Sequence, residues 1–234
     1  MIRAILLDIE GTTTPIAFVH EVLFPYARDH VKQFLMSINK DEVRADIGRL
    51  HEEHAADVSN GQQPPALSDD IDSLVAYVEW LIARDRKSTG LKSLQGKIWW
   101  QGYTNGSLKS QVYADVAPAF ARWRARGWTI SIFSSGSMLA QQLLFAHTEA
   151  GDLTGFISDY FDTNVGKKGE AASYRKIAAA LNARADEILF VSDVVAELDA
   201  AKEAGMQTLL SIRPGNPPQQ GAERYGSIYS FDSV

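Results

Sequence analysis

The chain has 234 residues, 45% of them hydrophobic and 22% charged, with a formal net charge of −6 and no cysteine. This length admits one large domain or a core carrying an insertion, and the composition is that of a soluble globular protein. The acidic balance argues against nucleic acid or an anionic membrane as partner, and the missing cysteines exclude disulfides and thiolate chemistry. Met1-Ile2-Arg3 runs straight into an apolar segment with no signal-peptide pattern, and no stretch is apolar for long enough to span a bilayer. A cytoplasmic location is the expectation. Ala4 to Leu7 have the length and composition of a buried strand. That strand ends on Asp8, and Gly11, three threonines and Pro15 then force a turn. Asp8 and Glu10 thus stand at the carboxyl end of a strand, which is the ligand-binding edge of an open α/β sheet.

After Pro15 the pattern becomes helical. Phe18, Val19, Val22, Leu23, Tyr26, Ala27, Val31 and Leu35 recur at the spacing of an amphipathic helix over about 17–38. A second helix is expected over 41–58, with Asp41 and Glu42 in its first turn, followed by a loop at 59–65. Ser68 can cap a third helix running to about Arg86. Ile98-Trp99-Trp100 reads as a short apolar patch, the Trp pair more often core than pocket. No convincing strand lies in this block, so it reads as an all-helical insertion placed after the first strand.

From about residue 112 the elements alternate. Helices are expected over 116–126, 138–147, 170–181 and 194–204. Strands are expected over 128–133, 159–161, 187–192 and 207–212. Alternation with short connections implies a parallel sheet with right-handed crossovers. The fold class is therefore α/β, a Rossmann-like three-layer core with a parallel sheet and an inserted all-helical cap. The core is assigned to 1–15 and 107–234 and the cap to 16–106.

Three of these strands end in polar chemistry: Asp8 with Glu10, Ser134 with Ser135, and Asp193. Lys168 lies in a glycine-flanked loop just before a helix. Parallel strands bring their carboxyl ends to one edge, so these groups converge. Carboxylates meeting at one point repel unless a hard cation lies between them, and Mg²⁺ suits few carboxylates with waters and phosphate oxygens. A lysine and a serine at a helix N-terminus can hold the remaining phosphate oxygens, leaving one carboxylate to attack phosphorus.

Strand-Asp-x-(Asp/Glu)-Gly-Thr, strand-Ser, loop-Lys and strand-Asp, in this order, resemble the four motifs of the haloacid dehalogenase-like phosphohydrolases. The helical block resembles their cap domain. Asp8 to Pro15, Ser134 to Ser137, Tyr160 to Thr163 with Gly166-Lys-Lys168, and Arg213-Pro-Gly-Asn216 resemble more narrowly the enolase-phosphatases of methionine salvage. The segment Tyr103–Tyr113 is similar to that family as well. The resemblance implies Mg²⁺-dependent enolisation and dephosphorylation of 2,3-diketo-5-methylthiopentyl-1-phosphate to an acireductone, by a monomer with one Mg²⁺ per subunit. It implies Asp8 as nucleophile and Glu10 as general acid and base. It implies Ser134, Ser135 and Lys168 as substrate-binding residues. Asp8, the Glu10 main-chain carbonyl and Asp193 are the implied metal ligands. Glu10 departs from the aspartate of most superfamily phosphatases but agrees with this narrower family. Glu197, one helical turn after Asp193, could orient a metal-bound water or the lysine. Phe18, His20, Trp99, Trp100 and Tyr103 are candidates for a pocket around the methylthio tail.

Other chemistries fit less well. His51 and His54 are three apart without the His-Glu-x-x-His pattern, which points to a solvated face. Ser134-Ser-Gly-Ser137 lacks the glycine that precedes the serine of a hydrolase nucleophile elbow. Lys167 is as basic as Lys168, and only the family register favours the latter. The alternative function is another small-molecule phosphatase or phosphonatase of the same superfamily. A Schiff-base phosphonatase needs a buried cap lysine, however, and Lys40, Lys87 and Lys92 read as loop or helix-end residues.

Overall fold

The computed structural model describes residues 1–84 and 86–234. The chain divides into two compact units, Met1–Val19 with Lys109–Val234, and His20–Leu108.

The first unit is built on six parallel strands: β1 (Ala4–Leu7), β2 (Thr129–Phe133), β3 (Asp159–Phe161), β4 (Ile188–Ser192), β5 (Gln207–Ser211) and β6 (Ser227–Ile228). Their order across the sheet is β3-β2-β1-β4-β5-β6. The chain thus steps outward from β1 in one direction to β3, crosses back to β4, and steps outward in the other direction. With right-handed crossovers this reversal puts the helices of the outward run to β3 and those of the return through β4 on opposite faces. On one side α5 (Val116–Ala125) and α6 (Met138–Ala146) pack against β2 and β3, with Phe120, Trp123 and Phe145 fully buried. On the other side α7 (Ala171–Ala180) and α8 (Val195–Glu203) share a core with Ala4, Leu6, Phe133 and Phe190. Strand β1 is buried throughout because helices cover both faces, which explains its unbroken apolar run.

Register decides where the polar strand ends fall. Leu7 lies opposite Ile132 of β2 and Val191 of β4. Asp8 is therefore level with Phe133 and Ser192, one residue before Ser134 and Asp193. All three strand ends meet at the switch point between the two halves of the sheet. The two-residue strand β6 was not expected from sequence, since so short an element carries no periodicity.

The second unit is helical: α1 (Phe24–Ser37), α2 (Lys40–Ser59), α3 (Ile71–Ala83) and α4 (Thr89–Thr104). The helix expected over 17–38 begins with a turn of π-helix, Phe18–Leu23, just before Pro25. Proline has no N–H for the carbonyl four residues back, and its ring crowds that carbonyl, so the turn widens. The expected cap at Ser68 is replaced by Asp70, whose carboxylate accepts from the Asp72 and Ser73 amides (3.1 and 3.2 Å). Ser68 instead exchanges hydrogen bonds with Ser73. Asp85, inside the helix expected there, lies outside the described residues.

Residues 98–100, expected as an apolar patch, belong to the full helix α4. Its glycines hide the helical signal, and two of them are sites of close packing. A Cβ on Gly102 would stand 2.5 Å from Tyr26 Oη, and one on Gly90 would stand 3.0 Å from Leu50 Cγ. Glu53 of α2 caps α4 by accepting from the Thr89 and Gly90 amides (2.7 and 3.2 Å). His51 reaches Asp69 (3.0 Å) and His54 reaches the Pro65 carbonyl (2.9 Å), so both histidines tie α2 to the following loop. No helix among the described residues is long and apolar enough to cross a membrane.

Candidate active site

Asp8 leaves β1 with its amide donating to the Val191 carbonyl of β4 (3.0 Å), so the sheet itself orients the residue. The chain then folds on itself. The Thr13 and Thr14 amides return to the Ile9 carbonyl, and the Gly11 amide donates to the Thr14 carbonyl (2.8 Å). Gly11 has a φ of +64°, a region that a side chain disfavours. Its open side faces the Asp193 carboxylate, and a Cβ there would collide with it. The glycine thus lets the turn and the end of β4 come together.

Lys168 is the central cation. Its Nζ donates to Asp8 Oδ1 (2.6 Å) and lies 2.7 Å from Glu197 Oε2. The ammonium also lies over the Phe133 ring, 5.8 Å from its centre. Its neighbour Lys167 has a side chain 84% exposed and pairs with Glu170 at 3.5 Å. The loop is fixed from behind by α7, where Tyr174 Oη donates to the Lys168 carbonyl (2.7 Å) and Ser173 Oγ to the Lys167 carbonyl (2.7 Å). Glu197 is steadied by Ser192 Oγ, which donates to it (2.9 Å). Neither Tyr174 nor Ser192 was selected from sequence, because a buried Tyr and a strand serine look like core there.

Ser134 follows β2, is buried, and has its amide on the Phe161 carbonyl (3.1 Å). Its Oγ accepts from the Gly136 amide (3.2 Å), and Ser137 caps α6 by accepting from Ala140 (3.3 Å). Gln141 holds the loop by donating to the carbonyls of Gly136 and Phe161 (2.9 and 2.8 Å). Ser135 is exposed at the head of the same loop, and Glu10 is half-buried in the first turn.

The electrostatics are unbalanced. Burial would lower the Lys168 pKa, but Asp8 and Glu197 outweigh it and hold the ammonium charged. Burial, reinforced by Asp8 and Glu197, pushes Asp193 up to about 7. Glu197 is raised by burial and by Asp8 against the pull of Lys168. Asp8 and Glu197 share one ammonium with Asp193 close by, so carboxylates outnumber cations here, and a divalent cation would relieve their repulsion. Among the described residues no three His, Cys, Asp or Glu side chains form a metal-ligand cluster. The Asp8 and Asp193 carboxylates, brought together beside Gly11, suit a cation such as Mg²⁺ that takes few carboxylates and completes its shell with water or phosphate oxygens.

Of the residues considered for a tail pocket, Phe18, Trp99 and Tyr103 are buried, and Trp100 is 54% exposed. Trp99 serves the helical unit's own core, where its indole N–H donates to the Leu23 carbonyl (2.9 Å). His20 is exposed and meets Phe24 edge-on.

A family model described as haloacid dehalogenase-like hydrolase matches residues 2–205. Enolase-phosphatase E1 of Synechococcus elongatus is 55% identical over 234 residues, covering 100% of this chain and 98% of that protein. Its counterpart from Drosophila melanogaster is 46% identical, covering 92% of this chain and 84% of that one. The crystal structure of the Saccharomyces cerevisiae UTR4 protein superposes with a TM-score of 0.82 at 37% identity, covering all of both chains. CbbY from Rhodobacter sphaeroides in complex with phosphate, at 18% identity, shares the fold, with a TM-score of 0.59 over 99% of this chain and 95% of that one. With these matches added to its strand-end Asp8, Ser134 and Asp193 and its loop Lys168, the chain belongs to the enolase-phosphatase family of haloacid dehalogenase-like hydrolases.

Proposed function

We propose that this protein enolises 2,3-diketo-5-methylthiopentyl-1-phosphate and then removes its phosphate, yielding the acireductone 1,2-dihydroxy-3-keto-5-methylthiopentene. It would do so with Mg²⁺, in the cytoplasm, as a monomer within methionine salvage. The observation that carries the reading is the Lys168 ammonium shared between Asp8 and Glu197 inside a cluster with surplus negative charge. We assign the helical unit the role of the family's cap.

Asp8, the Glu10 main-chain carbonyl and Asp193 would hold the cation. When bound, Mg²⁺ supplies charge neutralisation for phosphate and ketone oxygens. The proton on the phosphate-bearing carbon is acidified by the adjacent ketone; a base removes it, and the ketone oxygen takes up a proton from solvent to leave the enol phosphate. Glu10 is our candidate for that base, although the phosphatase half also calls on it. Asp8 then attacks phosphorus. The P–O bond to the enol oxygen breaks, Glu10 protonates the departing oxygen, and an aspartyl-phosphate forms on Asp8. Ser134 and the Ser135 amide hold the phosphoryl oxygens while Lys168 neutralises them and orients Asp8. Water activated by Glu10 cleaves the acyl phosphate, releasing phosphate and restoring Asp8.

The deciding experiment incubates the purified protein with the diketone phosphate and Mg²⁺ in D₂O. Deuterium at the phosphate-bearing carbon of recovered substrate, exchanged as the enol reverts, together with phosphate release, is the expected result. Phosphate release from simple esters with no enolisation of the diketone would make the protein an ordinary phosphatase.

A further inference from the structure

The turn after Asp8 is also gripped from the side of β5. Ser211, the last residue of β5, donates its hydroxyl to the Gly11 carbonyl (3.1 Å). Asn216 Nδ2 donates to the same oxygen (2.9 Å), and Arg213 Nε donates to the next carbonyl, that of Thr12 (3.2 Å). One six-residue segment therefore captures two successive carbonyls of the turn. The buried Arg213 is itself braced. Its Nη1 donates to the Tyr229 carbonyl (3.0 Å), its Nη2 to Asp115 Oδ2 (2.8 Å), and Asp115 in turn accepts from the Phe231 amide (2.6 Å). The guanidinium lies between the Tyr113 and Phe231 rings, 4.5 and 4.6 Å from their centres. A guanidinium with nitrogens so engaged is a brace and has no room to act as an anion site.

The grip matters because of what lies beside it. Gly11 has no side chain to restrict rotation about its backbone bonds, and rotation there would swing the Glu10–Gly11 peptide. Two donors hold the Gly11 carbonyl, which belongs to the Gly11–Thr12 peptide, and the Gly11 amide on Thr14 holds the Glu10–Gly11 peptide, so both peptides flanking Gly11 are pinned and neither of its backbone bonds turns freely. We infer that Ser211 and Asn216, braced by Arg213, are positioning residues that lock Gly11, and through it the Glu10–Gly11 peptide, so that Glu10 can present its carbonyl to the cation and its carboxylate to the reacting proton. This rests on the function proposed above.

The test compares the wild-type protein with Ser211→Ala, Asn216→Ala, the double variant and Arg213→Lys. Mg²⁺ alone is titrated by calorimetry, and the apo proteins are melted in parallel. Outer-shell partners of metal sites typically govern about 10- to 100-fold in affinity or rate. The double variant is expected to weaken Mg²⁺ binding and lower kcat by that factor with KM for the phosphate ester little changed. Each single variant should lose much less, because the other donor still holds Gly11. Arg213→Lys, which cannot serve Thr12 and Asp115 together, should fall between. A folded double variant with wild-type Mg²⁺ affinity would overturn the inference, as would a drop in apo melting temperature with Mg²⁺ affinity unmoved. Failure of the underlying function would look different, since the wild-type protein would then fail to bind Mg²⁺ or to enolise the diketone.

Discussion

Gly11 and Asp193 face each other so closely that no methyl group fits between the glycine α-carbon and the carboxylate. The contact joins the turn after β1 to the end of β4, and so brings the carboxylates of two strands to one point. Gly11→Ala would meet both that collision and the strain of a side chain at φ +64°, the latter worth about 1–2 kcal/mol. The expected outcome is a folded but less stable protein with Mg²⁺ binding and turnover nearly abolished, measured by calorimetry and phosphate release. Wild-type metal affinity in this variant would show that the close approach is incidental.

The two adjacent lysines should behave oppositely. Lys168→Ala leaves Asp8 and Glu197 buried without their cation, and loss of a buried donor of this kind costs about 10²–10³ in rate. Lys167→Ala, at an exposed position whose ammonium meets Glu170, should change stability by less than about 0.5 kcal/mol and leave turnover near wild type. Steady-state kinetics on both variants decides the matter. Equal losses would mean that the loop register is misread.

Asp8→Asn should fold and lose turnover by about 10³-fold or more, because an amide cannot form the acyl phosphate. Glu10→Gln should block both half-reactions, because Glu10 is assigned both the carbon proton and the leaving oxygen. An enol phosphate accumulating, visible by its absorbance, would show that another group removes the carbon proton. Full turnover in either variant would remove that residue from the mechanism.

Stability should depend on pH through Asp115. Burial pushes its carboxyl up, but hydrogen bonds from Arg213 and the Phe231 amide outweigh this and hold it below the ordinary carboxylate range. A carboxylate lowered in the folded state stabilises the fold above its unfolded pKa, near about 3.9, and that contribution is lost as pH falls through the folded value. The melting-temperature gap between wild type and Asp115→Asn should therefore be widest near neutrality and narrow below about pH 4. A gap constant from pH 7 to pH 3 would place the effect in packing instead of charge.

Two helical glycines offer opposite outcomes. Gly48, in α2, has nothing within 4 Å of where a Cβ would stand, so Gly48→Ala should stabilise the protein by about 0.5–1 kcal/mol through helix propensity. Gly102→Ala drives a methyl into Tyr26 and should destabilise despite the same gain in propensity. Denaturant melts of both variants check the sign. A stabilised Gly102→Ala would mean that Tyr26 moves aside freely.

Read in chain order, the residues of this protein determine its class by themselves. The apolar run of β1 ending on Asp8, the β-branched strand ending on Ser134 and the run ending on Asp193 are local patterns, and parallel strands necessarily bring such ends to one edge. Only the tertiary structure decided what supports them. Ser192 steadies Glu197 five residues away, and Tyr174 reaches back six residues to the Lys168 carbonyl. Ser211 and Asn216 reach about 200 residues back to Gly11. No periodicity records such contacts, because each is a single polar side chain meeting one carbonyl or carboxylate after the fold has closed. Helix α4 went unseen for a related reason. Its glycines weaken the local helical signal, and at Gly90 and Gly102 their value lies in contact with Leu50 and Tyr26, from helices that are neighbours only in space.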